Sequence, residues 1–152
     1  MKMGFAAILL VLCLAVMACH KNNVSKIPSI TLMSAGPDSI RIGDSAYIEF
    51  HLIDGDGDLG TDSGKDVFVK DSRFDTAGFI AYPFPNIDRS IENPAYGIEG
   101  TCLFILTPDI FSVRSDTLHT IQGDTASFEL YIVDRAGHQS NHIFTPSIII
   151  RP

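Results

Sequence analysis

Along most of the chain apolar and polar residues alternate one by one, and no long stretch sustains the spacing of an amphipathic helix. In Ala46-Tyr47-Ile48-Glu49-Phe50-His51-Leu52, the Ala, Ile, Phe and Leu side chains fall on one face of an extended chain, and Tyr, Glu and His on the other. That alternation predicts a half-buried strand. It recurs in Phe128-Glu129-Leu130-Tyr131-Ile132, followed by Asp134-Arg135-Ala136-Gly137, a turn cluster whose glycine can take positive φ. A β-branched run over residues 142–150 comes next, so the two runs and their connection predict a hairpin. Further strands are predicted over residues 29–34, 67–70, 78–82 and 101–106. About seven or eight short strands in one domain, residues 28–152, predict an all-β fold, an antiparallel β-sandwich. A domain of about 125 residues can hold one core without staples.

One segment departs from this pattern. Residues 4–17 are uninterruptedly apolar, preceded by the single charge of Lys2 and followed at once by His20-Lys21-Asn22-Asn23. These 14 residues fall short of the roughly 20 that a membrane-spanning helix needs, so the segment reads as the core of a cleaved signal peptide. Its end, Leu14-Ala15-Val16-Met17-Ala18-Cys19, resembles the lipobox of bacterial lipoproteins, with an aliphatic residue three before the cysteine and a small one directly before it. The resemblance implies a signal peptide over residues 1–18 and lipidation of the Cys19 sulfur. A lipidated cysteine and tether would then cover residues 19–27. The alternative is ordinary cleavage after Ala18, leaving Cys19 as a terminal thiol. Several acyl chains, palmitate among them, at about 0.8 kcal/mol per buried methylene would hold the mature chain at its membrane. The implied address is the bacterial cell envelope, at the outer membrane, on its periplasmic or its exterior face. Residues 20–27 reach at most about 26 Å when fully extended.

Charge narrows the partners. Of the charged residues only Lys2 lies in residues 1–18, so removing that segment takes the net charge from −7 to −8. Nucleic acid is excluded as a natural partner, and anionic headgroups repel the domain, which leaves membrane attachment to the acyl chains. Among three cysteines only Cys102 falls in the folded domain, inside Thr101-Cys102-Leu103-Phe104-Ile105-Leu106, so no intrachain disulfide forms there. A cysteine in such a run is a small buried hydrophobe.

The stretch Tyr131-Ile132-Val133-Asp134-Arg135-Ala136-Gly137-His138-Gln139-Ser140-Asn141 resembles the closing hairpin of immunoglobulin-like domains in bacterial surface proteins, with His138 where Asn is usual. Phe84-Pro85-x-Ile87 and Gly97-Ile98-Glu99-Gly100 are similar to segments of small uncharacterised outer-membrane lipoproteins. The resemblance implies an immunoglobulin-like β-sandwich and an envelope address. It implies no activity.

The most chemically loaded stretch is Asp54-Gly55-Asp56-Gly57-Asp58-Leu59-Gly60-Thr61-Asp62, with Asp66 shortly after. Hard cations want six to eight oxygens, and Asp at every second position with Gly between lets a loop curl so that carboxylates converge. Calcium is the natural candidate, with Asp54, Asp56 and Asp58 as first ligands, then Asp62 and Asp66. The loop is not an EF-hand, because Leu59 takes the glycine position and Lys65 the position of the bidentate Glu. The competing reading is a solvated acidic turn, since Asp and Gly are what turns prefer.

Residues 71–97 form an irregular connection carrying Phe79, Tyr82, Phe84 and Tyr96. Such length in a sandwich suggests function; exposed, these aromatics would contact a glycan or protein, and buried they would close one end of the core. His138 and His142 are four apart but fall in a turn and a strand start, where that spacing is not a metal signature. No Gly-x-Ser-x-Gly elbow, His-Glu-x-x-His or phosphate loop is present. The expectation is therefore a non-catalytic, lipid-anchored binding or assembly module, calcium-stabilised, with a protein or glycan partner. A carbohydrate-binding lipoprotein and a calcium-dependent hydrolase are the alternatives.

Overall fold

The computed structural model describes residues 24–60, 64–74, 76–84, 97–111 and 123–152. The signal segment, Cys19, Asp62 and Tyr96 lie outside the described residues. Ten strands follow one another among the described residues: β1 (Ser29–Gly36), β2 (Ser39–Arg41), β3 (Ala46–Asp54), β4 (Val67–Asp71), β5 (Ile80–Tyr82), β6 (Ile98–Leu106), β7 (Asp124–Ala126), β8 (Phe128–Ile132), β9 (Ile143–Phe144) and β10 (Ile148–Arg151). One 3-10 turn, Pro108–Phe111, follows β6. The described residues contain no α-helix, and none of their helices is long and apolar enough to cross a membrane.

The strands form two antiparallel sheets, β1-β3-β6 and β5-β4-β8-β9, and a third, β2-β10-β7. With the short β2, β7 and β10 set aside, one sheet takes the first, second and fifth strands of the chain, and the other the third, fourth, sixth and seventh. That is the strand order of an immunoglobulin-like sandwich. The two inner faces share one core. Ala46, Ile48, Phe50 and Leu52 of β3 and Phe128, Leu130 and Ile132 of β8 are all buried in it, each large side chain contributing about 1.5–3 kcal/mol. On β3 the predicted alternation holds residue by residue, with Tyr47, Glu49 and His51 on the outer face. Cys102 is also in the core, and burial pushes its thiol up to about 11.

The sandwich is not antiparallel throughout. The run over 142–150 divides into β9, paired with β8, and β10, which runs parallel to β2 and antiparallel to β7. Asn141, just before β9, makes up for the short pairing: its Oδ1 accepts from the Ile30 N–H at 2.9 Å and its Nδ2 donates to the Ile30 carbonyl at 2.8 Å, joining β1 to the other sheet. The connection from β8 to β9 turns at Gly137, whose φ of +88° matches the predicted positive value.

Candidate metal centre

Each sheet sends one carboxylate inward. The buried stripe of β3 continues in phase from Leu52 to Asp54, and that of β8 continues from Ile132 to Asp134, so both aspartates point where core side chains point. Asp54 is 0% exposed and Asp134 2%. Asp56 and Asp58 come from the loop after β3. One carboxylate oxygen from each of the four lies within 4.8 Å of the other three.

The scaffold around these groups is built from backbone N–H groups and two side chains, Arg135 and His138. The Arg135 N–H and Nε both donate to the Asp58 carbonyl, at 3.1 and 2.9 Å, tying the Asp loop to the β8–β9 turn. Asp134 is held by His138, whose N–H donates to Oδ1 at 2.7 Å and whose Nδ1 lies 2.8 Å from Oδ2. On the opposite side, the Gly55 N–H donates to the Ser25 carbonyl at 2.9 Å. Glycine is required there, because a Cβ would run into the carbonyl oxygens of Ser25 and Val24.

Among the described residues no hydrogen-bond donor reaches either oxygen of Asp54, or the buried Oδ1 atoms of Asp56 and Asp58. Burial, then the charges of Asp56, Asp58 and Asp134, raise the Asp54 carboxyl to about 7. Asp58 is raised as well, by burial first and then by Asp134 and Asp56, against a smaller pull downward from the Ala136 N–H and the Arg135 charge. Two carboxylates about 4.8 Å apart repel by about 3 kcal/mol at an effective dielectric near 20, and Lys26, whose Nζ is 3.7 Å from Asp56 Oδ2, is largely exposed. The donor set is all oxygen, which suits a hard cation and not zinc. Leu59, at the position an EF-hand gives to glycine, is a core residue at 1% exposure, so this loop is anchored differently.

Of the five aspartates the sequence points to, the structure brings Asp54, Asp56 and Asp58 together and adds Asp134. Asp66 stands apart: it is buried, and its Oδ2 accepts from the Phe84 N–H at 3.2 Å. Asp134 carries a signal that sequence reading can use, its phase with Ile132, but only strand pairing places it beside Asp54.

Of the aromatics of the connection, Phe79, Tyr82 and Phe84 are engaged within the fold. Tyr82 packs edge-on against Phe104, and both Tyr82 and Phe84 lie against the core. Phe79 sets its edge against Tyr131, whose two faces are covered by Phe68 and His142 at 4.8 and 4.7 Å. His142 turns Nδ1 to Glu129 Oε1 at 2.6 Å, whereas His138 serves Asp134, so the two imidazoles have separate partners.

No family model matches the chain, and no curated protein matches it. Among solved structures it is similar to the solution NMR structure of the CARDB domain of a Pyrococcus furiosus protein, with a TM-score of 0.35 and 12% identity, over 84% of this chain and 98% of that one.

Proposed function

We propose that this chain is a lipid-anchored module of the bacterial cell envelope, attached at the outer membrane through Cys19. In this reading it binds or assembles with a partner without catalysis, and a calcium ion on Asp54, Asp56, Asp58 and Asp134 fastens one end of its sandwich. The observation that carries the calcium is Asp54, fully buried, with both oxygens unmet by any donor among the described residues and grouped with three other carboxylates. An ionised group in that setting needs a partner. Four aspartates supply four of the six to eight oxygens that calcium takes, and extracellular modules work at about 0.1–1 mM. Cys19 carries the anchor on the strength of the lipobox resemblance alone.

Two measurements test the two halves. Labelled palmitate should enter the protein made in a bacterial host and be absent from Cys19→Ser; labelling of that variant overturns the anchor. For the metal, millimolar calcium should raise the melting midpoint over that in chelator, with about 2.7 kcal/mol gained at 100 times the dissociation constant. Asp56→Asn should not respond. A midpoint equal in calcium and chelator makes the loop a solvated turn.

A further inference from the structure

We infer that the cation site also governs the chain that leads into the domain: a bound divalent cation fastens residues 24–26 onto the Asp loop and shortens the greatest reach between the domain and Cys19. The inference rests on the proposed cation site.

The contact it exploits lies between two of the ligands. Gly55 is flanked by Asp54 and Asp56, and its N–H is the group that donates to the Ser25 carbonyl at 2.9 Å. The fit is close, since even a methyl group at residue 55 would overlap the carbonyls of Val24 and Ser25. The orientation in which Gly55 receives the lead is tied to where its two neighbours, Asp54 and Asp56, are held. With four carboxylates crowded and no cation, mutual repulsion acts on the very residues that flank this N–H. A cation drawing Asp54 and Asp56 to one point removes the repulsion and fixes Gly55 for the lead.

Lys26 does not oppose this. Its ammonium is 75% exposed beside Asp56, a weak pair in water, and four carboxylates remain net negative with one divalent cation among them and the Arg135 guanidinium beside Asp58. The reach between Cys19 and the first fastened residue falls from about 26 Å over residues 20–27 to about 13 Å over residues 20–23. Cation occupancy would thus set how far the domain stands from its anchor.

The test is limited digestion of the full-length protein by a lysine-specific protease that needs no calcium, in millimolar calcium and in chelator, with melting midpoints measured alongside. Cleavage after Lys26 follows the population of undocked lead. In wild type, calcium should slow it by about tenfold or more. Gly55→Ala keeps all four carboxylates, so calcium should still raise its midpoint while cleavage after Lys26 stays fast in both conditions. Asp56→Asn, which keeps Gly55, should be cleaved at one rate with and without calcium. A wild-type midpoint that rises while cleavage does not change overturns the fastening and leaves the site standing. Calcium protection of Gly55→Ala also overturns it. If neither midpoint nor cleavage responds, the site and the fastening fall together.

Discussion

Arg73→Met is expected to cost the domain about 3–5 kcal/mol, the penalty for breaking a buried ion pair by removing one partner. The Arg73 side chain is 1% exposed, and that of Asp124, which opens β7, is also 1% exposed. Its Nε lies 3.0 Å from both oxygens of Asp71, its Nη2 donates to the Ile110 carbonyl at 3.0 Å, and its Nη1 is 3.6 Å from Asp124 Oδ2. One guanidinium therefore joins the end of β4, the 3-10 turn and the third sheet. Methionine fills much of the volume but leaves the buried Asp124 and the half-buried Asp71 carboxylates without this counter-charge. The loss is a large share of the roughly 5–15 kcal/mol by which domains are stable, and the melting midpoint should drop by on the order of 10 °C or more. Arg73→Lys should recover only part, because an ammonium cannot make the forked contact with Asp71. Urea unfolding at pH 7 checks both. A cost under about 1 kcal/mol, the range of exposed pairs, would show that Asp71 and Asp124 do not depend on Arg73.

The second large effect is a dependence on pH that calcium should erase. The Asp54 carboxyl moves from 3.8 in the unfolded chain to about 7 in the fold. Because its folded value is raised, its contribution to stability is fully present below pH 3.8, declines as pH rises toward 7, and is lost above that. A shift of about three units corresponds to about 4 kcal/mol. The rise of Asp58 acts in the same direction. In chelator, the midpoint should therefore climb as pH falls from 8 to 5. In millimolar calcium the neutral-pH midpoint should be restored and the slope flattened, since the cation takes the place of the proton. Asp54→Asn should be more stable than wild type at pH 8 in chelator and indifferent to calcium. A wild-type midpoint independent of pH over this range would mean that Asp54 is not held in a desolvated, crowded setting.

Local pattern and partner choice were unequally legible. The alternation from Ala46 to Leu52 predicted β3 and its buried face, because a strand's side-chain period is a property of the strand alone. The strand ran two residues further, to Asp54, since the alternation does not require its inward positions to be apolar. The three-residue β2 and β7 gave no pattern long enough to read, and the parallel pairing of β2 with β10 depends on residues more than a hundred positions apart. The site shows the same division. Asp54, Asp56 and Asp58 are near in sequence and were found together, whereas Asp134 reaches them only through the facing of two sheets. Arg73 with Asp124 is likewise a tertiary pairing that no local spacing reveals.

The position of β10 makes two distant parts of the chain share one support. Residues 148–151 are the middle strand of β2-β10-β7, with Ile148 and Ile150 buried. In that sheet β2 and β7 each neighbour β10 and not one another. An opening confined to these four residues would therefore bare the backbone edges of β2 and β7 together with both edges of β10. Such unpaired edges are templates for pairing with another chain, so the burial of Ile148 and Ile150 guards this fold against aggregation as well as unfolding.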